Sequence, residues 1–101
     1  MTVVETHETI DRLLEQWRPN LGADFLPYRN HVYRVFNLSC RLASATEEDT
    51  EKLAIAAAFH DIGIWMDKTF DYLEPSSRRA LDYLEQVDRQ DWSESIHQII
   101  D

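Results

Sequence analysis

A chain of 101 residues, 44% hydrophobic and 11% aromatic, has the length and composition of one globular domain, which argues against disorder and leaves little room for a second core. Ten Lys and Arg against 19 Asp and Glu leave a formal net charge of −9, which disfavours a nucleic-acid polymer or an anionic membrane as partner. Two glycines and three prolines are too little turn punctuation for a many-stranded barrel, so the expected class is all-α. Cys40 is the single cysteine and allows no intrachain disulfide, which suits a reducing, cytoplasmic setting. The longest apolar run, Leu53 to Phe59, is far short of a membrane span, and the acidic N-terminus has no apolar segment of the signal-peptide kind.

In chain order, Ile10, Leu13, Leu14 and Trp17 form one apolar stripe, predicting a helix opened by a Thr2–Glu5 capping box and stopped by Pro19. After Gly22, Asp24 is the expected cap of a second helix with Pro27 in its first turn and His31, Val32, Val35, Leu38 and Leu42 towards one side. Thr46 and Asp49 have capping-box spacing for a third helix, reinforced by Glu47 and Glu48 at its positive end. That helix runs through Ala54-Ile55-Ala56-Ala57-Ala58-Phe59, apolar nearly all round, and is therefore the expected buried centre, with Gly63 as its C-terminal cap. Residues 64–74 read as irregular or short-helical. Pro75 then suits the first turn of a helix bearing Ala80, Leu81, Leu84 and Val87, and Asp91 with Glu94 suits the start of a last one bearing Ile96, Ile99 and Ile100. The whole is a bundle of about five helices forming a single domain over residues 1–101. No glycine, lysine or arginine closes the last helix, so the chain reads as the N-terminal portion of a domain cut in mid-helix. An uncovered Ile96–Ile99–Ile100 stripe would drive association, and a homodimer or higher oligomer is expected.

The feature with chemical content is His60-Asp61, adjacent at the end of the most apolar helix. Burying an ionisable pair there is unfavourable unless something compensates, and a divalent cation does so, since imidazole and carboxylate are good borderline-to-hard ligands. Successive helical residues diverge by about 100°, so both can reach one ion only where the helix ends. The alanines before the pair allow a neighbouring helix close approach, which can bring the imidazole of His31 to the same point.

His31 in RNHVYRVFNLSCRLA, followed 29 positions later by His60-Asp61 in LAIAAAFHDIGIWMDKTFDYLEPS, resembles the HD-domain superfamily of metal-dependent phosphohydrolases over roughly residues 20–100. The resemblance implies an all-helical domain, metal ligation by His31, His60 and Asp61, and a catalytic role for Asp61. It also implies a divalent ion among Mn, Fe, Co, Ni, Zn and Mg, and a small phosphorylated substrate such as a nucleotide. The family's fourth ligand, an aspartate on a later helix, has no counterpart in a matching context. Two alternatives therefore stay open: a non-catalytic metal-binding or regulatory helical module, and a lyase of the cyanamide-hydratase kind using the same ligands. Asp67 and Lys68, just past the motif, are candidates to contact substrate. Arg78 and Arg79 are better read as an exposed ion-pair surface than as a phosphate site, and His97 as a packed or surface residue than as a ligand. Trp17, Trp65, Trp92, Phe36 and Phe59 belong to the core or its rim, Cys40 is a small packed residue, and His7 faces solvent.

Overall fold

The computed structural model of the chain describes residues 6–43, 46–66 and 73–100. Among them are α1 (Glu8–Gln16), α2 (Arg18–Leu21), α3 (Phe25–Ala43), α4 (Glu47–Phe59), α5 (Gly63–Met66), α6 (Leu73–Gln86) and α7 (Ser93–Ile100). One-turn 3-10 segments, Gly22–Asp24 and Gln90–Trp92, lead into α3 and α7. No strand occurs among the described residues, and five of the helices are long enough to carry the packing: the all-α bundle expected.

Helix α4 is the centre. Its start is the capping box read from Thr46 and Asp49: the Thr46 hydroxyl accepts the Asp49 amide at 3.1 Å, and the Asp49 carboxylate accepts the Thr46 amide at 3.5 Å. Ala54 to Phe59 are all buried, and α1, α3, α6 and α7 each pack against this helix. A helix surrounded in this way must be apolar on every side, which explains why it carries no amphipathic stripe.

The other helices depart from expectation in instructive ways. Pro19 does not stop α1, which ends at Gln16 with Trp17 as its cap; the proline opens α2, where its missing N–H needs no partner. The Thr2–Glu5 box lies outside the described residues. Asp24 caps nothing, and its carboxylate instead accepts the Trp65 indole N–H at 3.0 Å. On α3 the buried side is rotated by about a quarter turn from the aliphatic stripe. Phe25, Tyr28, Val32, Tyr33 and Phe36 face the core, while Leu38 and Leu42 are 56% and 77% exposed. Aromatic rings bury more area per residue than leucine, so the face that carries four of them wins. Gly63 is no left-handed cap; it opens α5, and among the described glycines only Gly22 has a positive φ, 52°. Asp91 falls inside the turn that leads straight into α7 rather than at a cap. Ile96 and Ile100 are covered, leaving Ile99 partly exposed, so the apolar stripe invoked for self-association is smaller than the sequence suggested. His7 is half-buried instead of solvent-facing, its ring edge-on to Phe36 and its amide donating to the Tyr33 hydroxyl at 2.9 Å. No helix among the described residues is long and apolar enough to cross a membrane.

The end of α6 is a Schellman turn: the Arg89 amide donates to the Leu84 carbonyl at 2.7 Å and the Asp88 amide to that of Glu85 at 3.2 Å. Asp88 sits at its left-handed position with φ 61°, where glycine has no steric penalty. Asp88→Gly is expected to raise stability by about 0.5–1 kcal/mol, and Thr46→Ala to lower it by about 1 kcal/mol. Both are read from urea unfolding midpoints at constant slope.

Candidate metal centre

In an uninterrupted helix the carbonyls of Ala57, Ala58 and Phe59 would accept the amides of residues 61, 62 and 63. None of these bonds is made. His60 folds back so that its Nδ1–H donates to the Ala57 carbonyl at 2.6 Å. The Ala58 carbonyl accepts the Tyr28 hydroxyl from α3, also at 2.6 Å. The Phe59 carbonyl takes the Ile62 amide at 3.1 Å, and the Gly63 amide donates to the Ser76 hydroxyl of α6 at 2.8 Å. Side chains from two neighbouring helices, not a glycine cap, end α4 at His60.

Ended there, α4 presents two side chains to α3. His31 Nε2 lies 3.1 Å from His60 Nε2 and 2.9 Å from Asp61 Oδ2, and His60 Nε2 lies 3.0 Å from the same Asp61 oxygen. The two imidazole rings are 5.1 Å apart between centroids. His31 is the most open of the three side chains at 44% exposure, against 22% for His60 and 18% for Asp61, so solvent reaches the cluster from the α3 side.

The donor set tests well against a divalent ion. A carbonyl only accepts, so His60 Nδ1 carries the ring proton and its Nε2 lone pair points at His31 and Asp61; a second partner fixing the tautomer is usual for an imidazole that ligates metal. Three acceptor atoms at mutual separations of 2.9, 3.0 and 3.1 Å repel unless a cation or a proton lies among them. Ligands about 2.1 Å from one ion and at right angles stand about 3.0 Å apart. Two imidazoles and one carboxylate suit Mn, Fe, Co, Ni or Zn. Among the described residues no fourth His, Cys, Asp or Glu joins the cluster.

The electrostatics agree. Burial pushes the His60 pKa down, but the hydrogen bonds to Asp61 and to the Ala57 carbonyl outweigh it and leave it raised. Burial pushes Asp61 up, yet the hydrogen bond and charge of His60, then of His31, hold its carboxyl below the usual range. Burial, followed by the Asp61 charge, pushes the Tyr28 phenol far above its ordinary value, so it remains a neutral donor.

The structure thus brings together the three residues expected to meet, His31, His60 and Asp61. Asp67 and Lys68 lie outside the described residues. His97 is elsewhere, with Nδ1 2.6 Å from the hydroxyl of buried Ser77, and Arg79 lines a surface hollow with Trp17, Asp82 and Tyr83. Sequence reasoning missed Tyr28 and Ser76. Tyr28 stands three positions before His31, on the same side of α3, and an aromatic hydroxyl at that spacing was its available signal. Ser76, fully buried, gave none.

The family model described as HD domain matches residues 28–96, more than half of the chain, from Tyr28 into α7 and with all three donors inside. No curated protein and no solved structure matches the chain.

The two pKa shifts fix a pH dependence for the chelator-treated protein. The raised His60 contributes stability that is complete below the ordinary imidazole pKa and is lost as pH rises through its folded value. The depressed Asp61 contributes stability present above the ordinary carboxylate pKa and lost as pH falls through its folded value. The urea-midpoint difference between wild type and Asp61→Asn is therefore expected to peak between about pH 4 and about pH 6.5 and to shrink on both sides. A difference independent of pH would show that the pair is not coupled.

Proposed function

The chain belongs to the HD domain family, and we propose that it is a metal-dependent phosphohydrolase acting on a small phosphorylated molecule, with a nucleotide as first candidate. The observation that carries this reading is the convergence of His31 Nε2, His60 Nε2 and Asp61 Oδ2 within 3.1 Å of one another at a solvent-reached helix end. Those three atoms are the ligands. A divalent ion bound there supplies Lewis acidity towards a phosphoryl oxygen and a lowered pKa for water.

The chain's own residues do the rest. The Ala57 carbonyl keeps His60 in the tautomer whose Nε2 is free to ligate. With Asp61 Oδ2 turned towards both imidazoles, the other oxygen of that carboxylate is left to accept a hydrogen bond from the attacking water and orient it. The half-exposed edge of His31 leaves the substrate an approach from solvent. The acidic chain, at −9, repels a phosphorylated substrate everywhere that no cation reverses the field, which is a reason for the site to need its metal for binding as well as for chemistry.

A second reading is a metal-binding module without turnover, favoured by the absence of a fourth donor among the described residues. The two separate on one preparation. Metal-loaded and dialysed protein is expected to hold transition metal by plasma mass spectrometry, and to hydrolyse bis-p-nitrophenyl phosphate only when loaded. His60→Ala is expected to lose the metal and at least about 100-fold in rate. Metal without turnover, on this ester and on nucleotides, selects the binding module, and turnover of a nitrile-type substrate instead selects the lyase. Phosphatase activity that survives His60→Ala would falsify the reading.

A further inference from the structure

We propose that Tyr28 is a positioning residue for the His31–His60–Asp61 cluster, its hydroxyl ending α4 at the point where Asp61 can turn towards both imidazoles. The proposal rests on the reading of that cluster as a metal site. The Tyr28 ring is 2% exposed and packs on Trp65 with centroids 4.8 Å apart, and Trp65 is tied by its indole N–H to Asp24 at 3.0 Å. A ring gripped in this way places its hydroxyl in one position. That hydroxyl donates to the Ala58 carbonyl at 2.6 Å, so it occupies a backbone group that would otherwise look for a partner along a continuing helix.

Without the hydroxyl, the lowest-cost repair is to extend α4. The Ala58 carbonyl would take the Ile62 amide, and the Asp61 N–H would take the Ala57 carbonyl, the group that now holds His60 Nδ1. One missing oxygen atom would therefore disturb two of the three donors: Asp61 through its backbone, and His60 through its tautomer. Tyr28 also lies one turn before His31 on α3, so the helix that delivers the first donor delivers the group that shapes the turn bearing the other two. Loss of a group that orients a ligand weakens metal binding by about ten- to hundredfold.

Tyr28→Phe keeps the buried ring and removes only the hydroxyl; Tyr33→Phe removes a tyrosine hydroxyl from the same helix that bonds Asp11 and not the cluster. The experiment measures Zn2+ affinity by competition with a chromophoric chelator, the urea midpoint in excess EDTA, and the His60 tautomer by nitrogen-proton NMR of the metal-free protein. The expected result is Zn2+ binding weakened about ten- to hundredfold in Tyr28→Phe alone, with His60 shifted from a pure Nδ1–H form to a mixture. Wild-type affinity and tautomer in Tyr28→Phe would overturn the proposal while leaving the metal site standing, whatever the variant's stability. If wild type itself binds no Zn2+, the metal reading falls, and the tautomer still decides: a shift in Tyr28→Phe upholds the positioning role, and no shift removes it.

Discussion

The convergence of His31, His60 and Asp61 depends on where one hydrogen-bond ladder stops. Helix α4 runs with regular bonds up to the His60 amide, which still reaches the Ala56 carbonyl at 2.9 Å, and then hands its next carbonyls to a phenol, an imidazole and a tightened turn. A buried helix end must have its orphan carbonyls and amides satisfied, and here the groups that satisfy them are the same ones that aim the cluster. Structural and chemical demands fall on one set of atoms, so a change at the turn is felt in both.

The surroundings make that end possible. Alanines at 56, 57 and 58 remove bulk from the centre of the bundle, so α3 comes near enough for a tyrosine hydroxyl to reach the α4 backbone and for His31 to reach His60. Helix α6 supplies Ser76, fully buried, whose hydroxyl accepts the Gly63 amide. A close-packed core of small and aromatic residues fixes relative helix positions to within fractions of an ångström, the precision three converging donor atoms require. The price is an ionisable pair at the edge of the core, which is stable because each partner shifts the other towards its charged form.

Some of this was legible in the residues. The capping box at Thr46 and Asp49 and the all-round apolar run after it place a central helix, because both are local patterns with local causes. His60-Asp61 at the end of that run, with His31 upstream, marks the cluster. What was not legible depended on competition between faces. Leu38 and Leu42 looked like core on α3, yet the aromatics on the adjoining face displaced them, and nothing in one helix's periodicity says which of two apolar faces its neighbours will cover. The reading of Gly63 as a cap failed for a related reason: a glycine after a helix is ambiguous until the partners of the last carbonyls are known.

The residues alone thus determined the helical class and the central helix and pointed to His31, His60 and Asp61 as the cluster, since composition, capping chemistry and the ligand character of imidazole and carboxylate belong to each residue and its near neighbours. Only the tertiary structure decided that the three donor atoms stand within 3.1 Å of one another, and that Tyr28 and Ser76, rather than a glycine, end the helix beneath them. Those facts are set by contacts between residues 13 to 30 positions apart in the chain, made when the packed core brings separate helices together.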